Sequence, residues 1–221
     1  MSDFLRLPRR LLIAVTLTAS LPLQAADIDA GLKAVDEGDY MAAYQAFKPL
    51  AEQGNAKAEH NLAVLYKSGK GVMKNPIKAA HWFEKAAEQG LADAQFSLGH
   101  MYDKGEGVAR DAGKAVLWYK KAAEQGNPLA QTNLGVMYAN GEGVKQDIIL
   151  GYVWLNLAAS QGVSAAFDNV QVLQKEMTPK MRENVRKISR DYFKRYVMPF
   201  QVEPKSRPHS ASALHKHPTG E

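Results

Sequence analysis

Apolar and polar positions along most of this chain follow a helical period. Ala94, Leu98 and Tyr102 stand four residues apart, which places them on one stripe of a helix. Ala115, Trp118, Tyr119, Ala122 and Ala123 follow the i, i+3, i+4, i+7, i+8 spacing of a second apolar face. Gly105-Glu106-Gly107-Val108 lies between them, with glycines placed to take positive φ at a helix C-terminus and in the turn beyond it. Asp111 stands where an N-cap is needed to accept from the first unpaired N–H groups. The second helix is predicted to stop at Gly126, and Asn127-Pro128 starts the next with an N-cap followed by proline. The stretch Leu91 to Gly126 therefore reads as two antiparallel helices.

The same stretch recurs on both sides. Gly54, Gly90, Gly126 and Gly162 are spaced 36 residues apart, as are Gly69/Gly71, Gly105/Gly107 and Gly141/Gly143. Ala58/Ala94/Ala130, Leu62/Leu98/Leu134 and Tyr66/Tyr102/Tyr138 recur in the first helix; Ala86/Ala122/Ala158 and Trp82/Trp118/Trp154 recur in the second. A fixed period of this length marks a stacked solenoid. The expected fold is all-α: a right-handed α-solenoid of stacked antiparallel helix pairs. Three full units (55–90, 91–126 and 127–162) follow an atypical pair at 26–54, which lacks the Gly-x-Gly-Val turn and whose second helix Pro49 should bend. Residues 163–198 read as closing helices, the last one starting at Thr178-Pro179. The tryptophans are expected in matching core joints, so that Trp118→Ala would cost about 3–5 kcal/mol.

Outside the helices, Arg6, Arg9 and Arg10 precede the apolar run Leu11 to Leu23, and Gln24-Ala25 offers a cleavage point, as in a secretory leader spanning 1–25. A periplasmic or secreted protein is expected, with a retained N-terminal anchor as the alternative to cleavage. The chain has no cysteine, so neither disulfides nor lipoprotein processing is available to it. The formal charge of +5 is uneven: residues 1–25 carry +2, residues 26–162 carry −2 and residues 163–221 carry +5. The high pI thus reflects the two ends and gives no reason to expect nucleic-acid binding. Residues 199–221, with four prolines and few apolar positions, read as a disordered basic tail.

The pattern Ala-x-x-x-Leu-Gly-x-x-Tyr-x-x-Gly-x-Gly-Val-x-x-Asp-x-x-Lys-Ala-x-x-Trp-Tyr-x-Lys-Ala-Ala-Glu-Gln-Gly, written out in residues 94–126, resembles the Sel1-like repeat family, a relative of the tetratricopeptide repeats. The resemblance is strong over 55–162, weaker over 27–54, and leaves the tail uncovered. It implies an adaptor or scaffold for protein–protein assembly, in signalling or at the bacterial envelope. Some cysteine-rich relatives bind or hydrolyse β-lactams; this sequence lacks their cysteines.

No catalytic set emerges, and no cofactor is implied. His60, His81 and His100 do not share a repeat position, and His209 with the His215-x-His217 pair is too thin a donor set for a metal site. The Glu-Gln-Gly carboxylates, Glu88 and Glu124, recur at helix ends and read as structural. The Gly-x-Gly-Val turns lack the strand and the Lys-Ser/Thr pair of a phosphate loop. What varies between units is the side of the first helix opposite Ala58, Leu62 and Tyr66. It carries Lys57, His60, Val64 and Lys67, then Asp93, Phe96, His100 and Asp103, then Leu129, Thr132, Val136 and Ala139. In related solenoids this side lines a concave groove, so a protein or peptide partner is expected there, with Phe96 and His100 near the centre. A weaker contact between the basic C-terminus and an anionic membrane surface is a further expectation.

Overall fold

The computed structural model describes the backbone of residues 21–200 and the side chains from Ile28 onward. Most of the expected leader, the tail from 201 and its three histidines therefore lie outside the described residues. Ten α-helices and a short 3-10 turn run through the described chain: α1 (Leu21–Asp36), α2 (Tyr40–Glu52), α3 (Ala56–Ser68), α4 (Pro76–Glu88), α5 (Ala92–Lys104), α6 (Ala112–Glu124), α7 (Pro128–Asn140), α8 (Ile148–Ser160), α9 (Ser164–Glu176), α10 (Pro179–Tyr196) and η1 (Met198–Phe200). Each helix from α1 to α8 packs on the next in chain order, which is the layout of an α-solenoid. α1 runs through Ala25, the expected cleavage point; among its described side chains Ile28, Ala34 and Val35 are buried.

Capping residues set the helix boundaries. Asn75, Asp111 and Asp147 each accept the N–H three residues on, from Lys78, Lys114 and Leu150, at 2.9 Å. At the opposite ends Gly69, Gly105 and Gly141 adopt φ of 73°, 71° and 71° as left-handed C-caps. The second glycine of each turn is needed for a different reason. A Cβ on Gly107 would overlap the Pro76 carbonyl at the start of the preceding unit's second helix; Gly71 meets Tyr40, and Gly143 meets Ala112, in the same way. These are backbone-to-backbone joints between units. Pro49 does not interrupt α2: it sits on the exposed side, and the Gln53 N–H still reaches its carbonyl at 3.2 Å.

Within each hairpin a large side chain of the second helix fills space left by a small one in the first. Phe47, Phe83, Tyr119 and Leu155 form a column of almost fully buried residues 36 apart. Gly31, Gly99 and Gly135 stand opposite Phe47, Tyr119 and Leu155; a Cβ on Gly99 would lie 2.8 Å from the Tyr119 ring, and one on Gly135 would lie 2.7 Å from Leu155 Cγ. A polar ladder runs beside this column. Gln125 Nε2 donates to Gln95 Oε1 at 2.7 Å, and Gln95 Nε2 donates to the Ala87 carbonyl of the previous unit at 3.1 Å. Gln161, Gln131 and Ala123 repeat the arrangement at the same distances. Each rung ties a helix end to its own hairpin and to its neighbour, and satisfies polar groups that are buried.

The tryptophans correct the sequence expectation. Trp82 and Trp118 are half-exposed, and the ammonium groups of Lys85 and Lys121 lie over their rings at 4.7 and 4.0 Å. Trp154 alone is buried, because α10 lies across α8 and sets Tyr192 and Tyr196 against its ring, each at 5.3 Å. The residue equivalent to Lys85 and Lys121 is there Leu157, also buried. Side-chain spacing placed tryptophan and its successor on one face; the close helix contact selected the successor. Four substitutions should therefore separate in thermal melts. Tyr119→Ala should cost about 3–5 kcal/mol as a core truncation. Gly107→Ala should cost ~3 kcal/mol or more from positive φ plus overlap with backbone, against about 1–2 for Gly105→Ala. Trp118→Ala should cost less, about 2–3 kcal/mol, since its side chain is only partly buried against the core; a loss equal to that of Tyr119→Ala would contradict this packing.

Candidate interaction face

The first helix of each unit is wedged between two second helices, its own and that of the preceding unit. More of its circumference is covered than a single apolar stripe would require. In α5, Ala94, Gln95, Ser97, Leu98, Gly99 and Met101 are all buried, which leaves Asp93, Phe96, His100 and Asp103, with Lys104 and Tyr102 at the edge, as the accessible side. That side coincides with the one expected from helical geometry. In the flanking units it is narrower than expected. His60, Val64 and Thr132 are buried, as is Ala139, so these four are not offered to a partner. His60 rests edge-on against Phe83 at 5.4 Å, and the Thr132 hydroxyl donates back to the Pro128 carbonyl at 2.8 Å. The residues left open there are Lys57, Lys67, Leu129 and Val136, two of them half-buried.

The centre of the face combines one aromatic, one imidazole and a set of charges. Phe96 is half-buried with its ring 5.9 Å from that of Tyr119. His100 is half-buried one turn on, and its Nδ1 accepts no hydrogen bond among the described residues. Burial, and after it the Lys67 ammonium, hold its pKa below the ordinary histidine value, so the ring is neutral at neutral pH. Lys67 pairs with Glu106 at 3.4 Å across the joint between units. Asp103 pairs with Lys104 at 2.8 Å and its backbone carbonyl accepts from Arg110 Nε at 2.9 Å. Arg110 in turn pairs with Glu142 of the next unit. Charges along this edge are thus matched from unit to unit. Asp93, at the other end of α5, accepts from the Asn127 side-chain amide at 3.1 Å.

The family can now be stated. The Sel1 repeat family model matches residues 56–91, 92–127 and 128–163. The chain belongs to the Sel1 repeat family. The crystal structure of a Sel1 repeat protein from Oxalobacter formigenes aligns with a TM-score of 0.62 at 32% identity, over 70% of this chain and 65% of that one. The structure of c5321, a protective antigen present in uropathogenic Escherichia coli strains displaying an SLR fold, aligns with a TM-score of 0.57 at 26% identity, over 85% of this chain and 50% of that one. The chain thus spans 65% and half of the lengths of these two. No curated protein matches it. Sel1 repeat proteins generally act as protein-interaction scaffolds and are typically non-enzymatic. Among the described residues, no helix is long and apolar enough to cross a membrane.

One residue of the Sel1 ladder was not singled out from sequence. Glu59 occupies the position of Gln95 and Gln131, is buried, and accepts from Gln89 Nε2 at 2.7 Å. An ionised carboxylate cannot donate to a neighbouring carbonyl as those glutamines do. Burial pushes its pKa above the ordinary carboxyl value, opposed by Lys85, the Gln89 hydrogen bond and His81. A raised acid pKa means that the folded state holds the proton more tightly, so this residue's contribution to stability is present in acid and lost as pH rises through the folded value. Glu59→Gln should therefore raise the melting temperature at neutral pH by about 2–4 °C, corresponding to ~1 kcal/mol. That advantage should shrink as pH falls toward about 4.3, the ordinary glutamate value. Titration of His100 is common to both proteins and cancels in the difference. An advantage that grows in acid would contradict the assignment.

Proposed function

We propose that this chain is an exported, non-enzymatic scaffold that holds a protein or peptide along the uncovered side of α3, α5 and α7. The observation that carries this reading is the contrast between the two sides of α5. The buried Ala94 and Leu98 recur unchanged in all three units, whereas Asp93, Phe96, His100 and Asp103 differ from their counterparts and remain accessible. An aromatic ring supported from beneath by Tyr119, beside a neutral imidazole, offers a rigid, partly desolvated anchor for a partner side chain. The matched charges at its rim would set the orientation of the partner more than its affinity. Export follows from the leader-like residues 1–25 and would place the scaffold in the periplasm or outside the cell.

Affinity capture of envelope proteins by residues 26–221 tests the face. The double variant Phe96→Ala with His100→Ala should weaken retention of the captured partner at least about tenfold, equivalent to ~1.4 kcal/mol. Because Phe96 also packs on Tyr119, Asp93→Arg serves as a second probe whose side chain is exposed. Partner retention by both variants would remove this face from consideration. For export, intact-mass measurement of protein recovered from outside the cytoplasm should give a chain beginning at Ala26. A cytoplasmic protein with its first 25 residues in place would overturn that part.

A further inference from the structure

A cleft lined by basic residues lies at the C-terminal end of the described solenoid. α9 and α10 diverge after Met177, and a cleft of about 450 Å³ opens between them above α8. Tyr152 and Gln174 line it and are joined by a hydrogen bond from Gln174 Nε2 to Tyr152 Oη at 2.7 Å. Lys175 stands on one wall, and Arg182 and Arg186 stand on the other. A second hollow of about 330 Å³ continues along α10, sharing Tyr152 and Arg186 and adding Arg190.

Arg182, Arg186 and Arg190 follow the i, i+4, i+8 spacing, so they form one stripe with a rise of ~6 Å between successive side chains. Like charges at this spacing work against the helix that carries them. None of the three, nor Lys175, lies within 4 Å of a carboxylate among the described residues. The one internal partner is the Gln174 carbonyl, which accepts from Arg182 Nη2 at 3.2 Å. Elsewhere on the molecule Lys67 and Arg110 are matched by Glu106 and Glu142. The stripe is thus a row of uncompensated cations along a recess, and each is an arginine, whose planar fork suits carboxylates.

We propose that this cleft binds an extended acidic peptide segment of a partner protein. In an extended chain alternate side chains point the same way at intervals of ~6.6 Å, close to the rise between the arginines. Carboxylates on alternate residues would then meet Arg182, Arg186 and Arg190 in turn, while Tyr152 Oη and the Gln174 amide face the peptide backbone. A bilayer surface would reach the outward lysines of α10 but could not enter the recess. The site is separate from the face on α3, α5 and α7, and stands or falls independently of it.

Fluorescence anisotropy with purified residues 26–221 tests the site, using a labelled alternating Asp-Ser peptide of about 12 residues and an Asn-Ser control. The acidic peptide should bind, the control should not, and the affinity should fall between about 0.05 and 0.3 M salt. Arg182→Gln with Arg186→Gln should weaken binding at least about tenfold, whereas Lys187→Gln with Lys194→Gln, the same charge removed outside the cleft, should weaken it less than about threefold. Arg186→Lys should give an intermediate loss. Phe96→Ala with His100→Ala should leave this binding unchanged. All of these side chains on α10 are exposed, so circular dichroism should show unaltered helix content. Equal losses from the two α10 double variants would reduce the effect to diffuse charge and overturn the proposal. So would absence of peptide binding, with or without binding of phosphatidylglycerol vesicles that depends on Arg182 and Arg186.

Discussion

The constraint on which this architecture rests is the contact of one backbone with another at Gly71, Gly107 and Gly143. Each turn lies directly on the first carbonyl of the preceding unit's second helix, where no side chain fits. The contact sets the distance and the rotation between hairpins. Once these are set, the residues that follow at 36-residue intervals fall into columns, and a hairpin that could not bury its own faces closes against its neighbours. Phe47, Tyr119 and Leu155 then meet a glycine across the hairpin, and the ladder of glutamines meets helix-end carbonyls at constant distances.

The two ends of the array are treated differently. At the N-terminal end Phe47 already sits in the packing column although the turn before it is shorter, so the first pair joins the array through its second helix. At the C-terminal end α10 turns back over α8 and covers the third tryptophan. Two of the three tryptophans remain under a lysine instead, with the aliphatic stem and ammonium acting as a solvated lid. The change from lysine to leucine at position 157 accompanies the change of cover. Sequence variation at a repeat position thus records which surface meets water and which meets protein.

Function is supported by the same division. Ala58, Leu62 and their repeat-mates face neighbouring helices and recur unchanged, while the accessible remainder of the first helices differs from unit to unit. Around Phe96 and His100 this remainder is partly desolvated and bordered by paired charges. On α10, by contrast, Arg182, Arg186 and Arg190 meet no carboxylate among the described residues, and the recess they border is lined by other helices.

Much of the fold was legible from the chain itself. The 36-residue glycine spacing, the caps at Asn75, Asp111 and Asp147 and the break at Asn127-Pro128 are local signals, because each acts on the backbone of a few adjacent residues. The column of Phe47, Phe83, Tyr119 and Leu155 was present in the same spacing, but it was masked by the more conspicuous tryptophans. Helical periodicity gives a face about 100° wide and cannot say which of two adjacent side chains on it meets the next helix. The burial of His60, Val64 and Thr132, the partnership of Glu59 with Gln89 and the arginine-lined cleft depend on where helices from different units come to rest. Those positions are decided by summed contacts among distant residues, and only the tertiary structure contains them.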